Sequence, residues 1–386
     1  MRKKIAYISG TRADFGLMTP ILEAIDKSEK LQLYLYVTGI HLMPDFGNTI
    51  DQVSKQFPNV RIIPATFSSD SRLGMARFTG DYLQKAVEIL NEERPDFILI
   101  LGDRVEMLCT ALAATYLGIP TGHLHGGERT STVDELARHA ITKLASLHFA
   151  ATSESAQRIR KLGEEEWRIH TVGAPALDII LNEKLPSREE VFERLGLDPK
   201  EKIILVVQHP VSEQAEEAGS QMQETIEAVK NFNLPTVVVF PHPDVGGKKI
   251  IDVIERERNN PFFHIFPSLE YKDWLCLERE AAVMVGNSSA GMIETASFYT
   301  PTVNIGIRQK NRERGLNVTD VAADREEIKA AIKKSFYDED YLKEIARSVS
   351  PWGDGTAGKR IVKILTELDW DNPNKIDRLL HKEMTY

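Results

Sequence analysis

Short apolar runs that end at small, polar or proline-containing loops recur along this chain, and a longer stretch of helical periodicity follows nearly every one. Few folds accommodate that alternation, because a run buried on both faces belongs in a parallel sheet and the following helix must cross back over it. A first set of runs comprises Lys4 to Ser9, Gln32 to Thr38, Phe97 to Leu101, a short segment ending at Gly122, His148 to Thr152 and Arg168 to Val172. A second set comprises Ile203 to Gln208, Thr236 to Pro241, Phe262 to Phe266, Ala282 to Gly286 and Thr302 to Ile305. Between the sets, Gly173 to Pro186 has no strand pattern and reads as a connection. The expectation is an α/β protein of two Rossmann-like domains, 1–172 and 187–350, joined by 173–186, with parallel sheets facing across a cleft. Residues 351–386 are expected to return a helix, Ala357 to Leu368, to the first domain and then to fray beyond Trp370.

A chain of 386 residues is long enough for two such cores. No apolar run reaches the roughly 18 residues of a membrane span, so no membrane partner is expected. The opening MRKKIAYISG turns polar too early for a signal peptide and reads as a first strand, so a cytoplasmic location is expected. The two cysteines, Cys109 and Cys276, lie far apart in apolar helical patterns and read as buried thiols. The net charge of −9 is spread along the chain and argues against a nucleic-acid surface. An anion would have to be held by local geometry.

Ligands of parallel sheets bind beyond the carboxyl ends of the strands, and the chemistry-bearing residues gather there. Thr11 to Gly16 is expected as a loop before the first helix, its Arg12 suited to a phosphate or else paired with Asp14. Gly102-Asp103-Arg104 ends another strand. His123 to Lys143 combines His123, His125, Glu128, Asp134, Arg138 and His139 with a Gly-Gly break, and Thr132 with Glu135 has the spacing of a capping box. Dipole stabilisation in the first helical turn should favour ionised Asp134. In the second half, His209 and His242 stand at strand ends beside prolines. Gly286-Asn287-Ser288-Ser289-Ala290-Gly291 then forms a polar loop before a helix carrying Glu294, which suits an anion and a ribose diol. Arg308, Arg312 and Arg314 cluster farther on and read as solvated charge when taken alone.

In this order GTRADFG, GDRxE, HxHGGE, DExxRHAITK, QHP, GNSSxGxxE and NIGxRQxxRExGxNV resemble the hydrolysing UDP-N-acetylglucosamine 2-epimerases, from about Ile5 to the Trp352-Gly-Asp-Gly segment. The resemblance implies a GT-B-like fold, a homodimer, no metal and no cofactor. It implies that UDP-N-acetylglucosamine loses UDP from C1 as a proton leaves C2, and that the resulting glycal adds water to give N-acetylmannosamine. Because no carbonyl acidifies C2–H, the transition state must be oxocarbenium-like, with carboxylates near C1 and C2 and cationic donors on the diphosphate. Carried over by motif, the catalytic group is Asp103, Asp134, His125, Glu128 and Arg138. The UDP group is Arg12, Arg104, His209, His242, Asn287, Ser288, Ser289, Gly291, Glu294 and Arg308 or Arg312.

Two positions depart from the pattern of many sialic-acid-pathway members. His125 stands where they carry a glutamate, and Leu17 where they often carry a lysine. A branch acting on UDP-2,4-diacetamido-2,4,6-trideoxy sugars resembles this chain at both, and His125 is suited to acid–base work near neutral pH. The alternatives are a non-hydrolysing epimerase, whose loop reads D-S-G-G where this chain has Asn287-Ser288-Ser289-Ala290-Gly291, a glycosyltransferase, a metal hydrolase built on His123, His125 and His139, and a nucleotide-sugar-binding regulator.

Overall fold

The computed structural model describes residues 1–385 apart from Asn48, Ser68, Ser69, Ser131 and Pro243, so the proline expected after His242 lies outside the described residues. Its first sheet contains β1 (Lys3–Ser9), β2 (Leu31–Val37), β3 (Arg61–Ile62), β4 (Phe97–Leu101), β5 (Thr121–Leu124), β6 (Leu147–Ala150) and β7 (Ile169–Thr171). They are ordered β3-β2-β1-β4-β5-β6-β7, and every pairing is parallel. The second contains β8 (Ile204–Val207), β9 (Thr236–Val239), β10 (Phe263–Phe266), β11 (Val283–Gly286), β12 (Thr302–Ile305) and β13 (Val318–Val321), ordered β10-β9-β8-β11-β12-β13 and also parallel. Each sheet reverses its winding at its first strand, so a crevice opens beyond β1 and β4 in one and beyond β8 and β11 in the other. The two crevices face each other.

The central strands are buried on both faces because their residues are almost wholly apolar, and Ile5, Tyr7 and Leu99 share one core cluster while Val206, Val238 and Val285 share another. β3 and β13 carried no apolar run to announce them. Both residues of β3 are exposed, and none of the four in β13 is fully buried. Edge pairing, which depends on a neighbour's free backbone, makes them strands.

Two local expectations are corrected, at the first helix and at the tail, and the connection gains detail. Arg12–Asp26 is a helix from its first residue, so Thr11 to Gly16 is its cap and first turn. Thr11 and Asp14 form a capping box, and Gly16 does not break the helix but lets it approach Tyr271, whose Cγ would lie 2.4 Å from an added Cβ. The connecting segment holds a helix, Ala176–Asn182, whose Ala176, Leu177 and Ile179 are buried. The segment beyond Trp370 does not fray. A helix, Pro373–Leu380, docks there with Leu379 in the core of the first domain.

Buried Arg168 fixes that docking by donating to the carbonyls of Ser146 (3.0 Å), Arg378 (2.7 Å), Leu379 (3.1 Å) and His381 (2.8 Å). The helix Ala357–Glu367 packs on Arg12–Asp26, with Ile361 and Leu365 in the same core, and its first amides are capped by Asp178 at 2.8 and 2.6 Å. Among the described residues no helix is long and apolar enough to cross a membrane. Arg168→Ala leaves several buried carbonyls unpaired, and it is expected to cost about 3 kcal/mol in urea unfolding and to release the last 15 or so residues to protease. An unchanged urea midpoint with a protected tail would contradict this account of the docking.

Candidate active site

Two chambers occupy the cleft. The larger, 630 Å³, is lined by Asp103, Arg104, His125, Asp134 and Arg138 of the first domain together with Asp244 and Arg312 of the second. The smaller, 160 Å³, is lined by Arg12, His209, Phe240, Tyr271, Ser288 and Glu294, among others. They share Thr11, Leu17, His242, Ser289 and Arg308 as common wall, so one elongated ligand can pass from one to the other.

Around the larger chamber the polar groups form a network that crosses the cleft. Arg138, almost fully buried, makes an ion pair with Asp103 and donates to the His125 carbonyl at 2.7 Å. It therefore reaches Asp103 and not Asp134, four residues before it. Nδ1 of His125 is hydrogen bonded to one oxygen of Glu128, and the other oxygen pairs with Arg312 of the opposite domain. Burial alone would raise the Glu128 carboxyl, but Arg312, His125 and Arg138 outweigh it and hold it well below the usual range. Glu128 accordingly sits behind His125 and outside the chamber wall. Nε2 of His125 is buried without a hydrogen-bond partner, and its backbone takes φ 59°, a left-handed value that histidine tolerates better than most residues.

Asp134 departs from expectation. It lies in the first turn of the helix Val133–Leu144, yet its pKa is pushed up to about 6, first by burial and then by Asp103 and Asp244, with Arg308 and Thr132 opposing. Desolvation and two neighbouring carboxylates outweigh the helix dipole. The capping box is also incomplete. Thr132 accepts from the Asp134 amide at 3.3 Å, while Glu135 reaches back to the Thr130 amide at 3.0 Å.

On the other side of the junction, Arg12 does not pair with Asp14. Asp14 accepts from the amides of Gly10 (3.0 Å) and Thr11 (2.8 Å), which leaves Nε and Nη1 of Arg12 buried and unpartnered, and burial lowers the guanidinium to about 10. Such a group needs an anion. Arg104 donates to Glu106 at 3.3 Å and faces Asp244 across the cleft at 4.0 Å; burial opposes its charge, but these carboxylates more than offset that. His209 and His242 stack with centroids 4.6 Å apart. Burial first, and then the surrounding arginines, hold both imidazoles neutral, His242 at about 3. Because Nδ1 of His209 accepts from the His242 amide at 3.2 Å, its proton is on Nε2, where it serves as a donor.

The loop after β11 divides in function. Asn287 clamps the His209 backbone reciprocally, at 2.6 and 2.9 Å, and its carbonyl accepts from Arg308 at 3.1 Å, so it positions others. Ser288 and Ser289 line the smaller chamber. Gly291 does not: an added Cβ would lie 2.7 Å from Thr302, which makes it a packing glycine. Arg312 and Arg314 are not solvated charge. Arg312 ties the domains through Glu128, and Arg314 binds Asp320 and the Gln309 carbonyl. Glu294 receives hydrogen bonds from Tyr271 and Trp274; burial raises its pKa, and these donors and the neighbouring Glu278 only partly offset that.

Sequence reading quoted Glu106 only as the last residue of GDRxE and missed Tyr271, Trp274 and Glu278, which sit in a helix whose pattern looks like ordinary core, so that only the fold brings them to Glu294. The three histidines weighed as metal ligands do not converge: His123 binds the Gly102 carbonyl at 2.7 Å, His125 binds Glu128, and His139 faces Glu135 at 3.4 Å. Among the described residues no group of three or more His, Cys, Asp or Glu is placed to hold a metal ion.

These facing sheets and the cleft between them define a two-domain α/β protein of the GT-B-like kind. A family model for UDP-N-acetylglucosamine 2-epimerase matches residues 23–366, and the chain belongs to that family. It is 40% identical over 366 residues to the UDP-N,N'-diacetylbacillosamine 2-epimerase (hydrolyzing) of Legionella pneumophila, covering 95% of this chain and 96% of that one. It is 31% identical over 334 residues to the UDP-N-acetylglucosamine 2-epimerase of Neisseria meningitidis, covering 86% and 87%. Among solved structures, the Methanocaldococcus jannaschii UDP-GlcNAc 2-epimerase in complex with UDP-GlcNAc and UDP shares the fold at TM-score 0.78 and 21% identity, over 94% of this chain and 99% of that one.

The raised Asp134 pKa has a consequence for stability. Below the ordinary Asp value of about 3.9 both folded and unfolded states hold the proton; between there and 6 only the folded state does, so stability falls as pH rises and the loss is complete above 6. Asp134→Asn is expected to raise the melting temperature at about pH 8 and to leave it unchanged at about pH 3.5. An equal gain at both would show that the carboxylate carries no such penalty.

Proposed function

We propose that the protein is a hydrolysing 2-epimerase of UDP-N,N'-diacetylbacillosamine, releasing UDP and 2,4-diacetamido-2,4,6-trideoxymannose. The observation that carries this reading is the pair of joined chambers. Uridine occupies the smaller, the diphosphate lies at the junction against Arg12, Arg308, His242 and Ser289, and the sugar enters the larger beside Asp103, Asp134 and His125. The step is an elimination: the C2 proton passes to a protein base, the C1–O bond breaks, and its electron pair leaves with UDP. Water then adds to C1 of the glycal as a proton returns to C2 on the opposite face.

Each residue has a part in that sequence. Asp134 titrates close to neutral pH, which suits moving protons in both halves of the reaction. Asp103, fixed by Arg138, faces the positive charge that develops at C1. The unpartnered Nε2 of His125, backed by Glu128, supplies a second proton-transfer group. Arg12 and Arg308 neutralise the leaving diphosphate. The full UDP group expected from the motifs enters this proposal with Asn287 and Gly291 acting behind the wall and Arg312 acting through Glu128.

The Legionella relative and the lining support the choice of sugar. Leu17, Met75, Leu101, Leu108 and Val133 give the larger chamber an apolar side suited to a C6 methyl and an acetamido methyl. UDP-N-acetylglucosamine is the second reading, favoured by the meningococcal relative. A cytoplasmic homodimer belongs to the same proposal, and two buried free cysteines accord with a reducing compartment.

Replacing a hydroxymethyl by a methyl in such a pocket changes selectivity by roughly 10–200-fold, so kcat/KM for the diacetamido substrate should exceed that for UDP-N-acetylglucosamine by at least about 10-fold. Asp103→Asn and Asp134→Asn should each lower the rate of UDP release by about 10²–10⁴ while UDP binding persists. Full activity in either variant would remove its carboxylate from the mechanism, and preference for UDP-N-acetylglucosamine would reverse the assignment of the sugar.

A further inference from the structure

A line of buried hydrogen bonds runs from the first strand to the wall of the smaller chamber. Ser9 Oγ donates to the Asp14 carboxylate, with the Thr11 carbonyl 3.1 Å away as its other acceptor. The same Oγ lies 2.8 Å from Nε2 of His41, and Nδ1 of His41 lies 2.8 Å from Thr49 Oγ1. All four side chains are buried.

Proton counting fixes every direction in that line. A hydroxyl has one proton, and that of Ser9 goes to the Thr11 carbonyl or to Asp14. The two Asp14 oxygens already accept from the Gly10 and Thr11 amides and the Tyr7 hydroxyl, and so act as acceptors against the upward pull of burial. Ser9 then receives a hydrogen bond from Nε2–H of His41. Burial pushes the imidazole down to about 4, so it is neutral and carries that single N–H. Nδ1 is then a bare acceptor and takes the Thr49 proton. Thr49 therefore has only lone pairs left to offer a ligand.

Thr49 belongs to the first domain but lines the smaller chamber, beside Ile40, Phe46, Phe240 and Pro267, whose apolar groups suit a flat base. Its turn presses on the second domain: Gly47, at φ 91°, would place a Cβ 3.1 Å from Ser268 Oγ. We infer that Thr49 reads the nucleobase, its hydroxyl locked as an acceptor that receives N3–H of uracil and turns away cytosine, which has a bare nitrogen at that position. This rests on the UDP reading above. Ser9, Asp14 and His41 are positioning residues, since they act through Thr49.

The test is calorimetric titration of the full-length protein with UDP and CDP. The wild type should prefer UDP by at least about 10-fold, Thr49→Ser should keep that preference, and Thr49→Val should lose it chiefly through weaker UDP binding. Ser9→Ala frees His41 to take its other tautomer, and it should narrow the preference with the hydroxyl of Thr49 still present. Should Thr49→Val fail to fold, Ser9→Ala decides the matter. A folded Thr49→Val or Ser9→Ala protein with the wild-type UDP-to-CDP ratio would overturn the inference, as would a wild type that binds both equally. A wild type that binds neither nucleotide would instead remove the UDP reading, and this inference with it.

Discussion

The carboxylate of Glu128 is buried in one domain and charge-paired by the other. Taken out of water alone, it would cost several kcal/mol or take up a proton. Arg312 crosses the cleft to one of its oxygens while His125 binds the remaining one, so the carboxylate stays charged only when both domains contribute. The residues around the larger chamber depend on this. His125 is oriented by Glu128, Arg138 is held by the His125 carbonyl, and Asp103 is fixed by Arg138. Separation of the domains would strand a buried charge and loosen the groups around the larger chamber together.

Electrostatics also divides the labour between the chambers. The unpaired Arg12 lines the smaller chamber and Arg308 the wall common to both, where neutral His242 and Ser289 add polar groups without adding charge. Carboxylates gather in the larger chamber, and burial, reinforced by their mutual repulsion, raises the Asp134 pKa to about 6. A substrate that becomes negative at its diphosphate and positive at its sugar ring as one bond breaks is matched at both ends. Preorganised charge of this kind stabilises a transition state more than a ground state.

Much of the fold was legible because strands buried on both faces must be apolar throughout, and the runs at Phe97 to Leu101 and Ile203 to Gln208 can be little else. The edge strands Arg61–Ile62 and Val318–Val321 were not, since pairing at an edge leaves little hydrophobic trace. The polar loops were legible as places where chemistry collects, but partner choice was not. Asp14 was weighed as a partner of Arg12 and instead binds backbone amides, and Arg312 was read, taken alone, as solvated and is buried against Glu128. Each of those outcomes depends on residues brought close by the fold. The Thr11-x-x-Asp14 spacing did contain the signal for a cap, hidden by the glycine two residues later.

The central claim is that one UDP-sugar spans both chambers and loses its C2 proton as UDP departs, with water completing the reaction. Proton magnetic resonance of the product formed in D₂O tests it most directly. The account predicts free UDP and free 2-epimer in equal amounts, with deuterium at C2 of every product molecule. Products with hydrogen retained at C2, or a 2-epimer still attached to UDP, would contradict it.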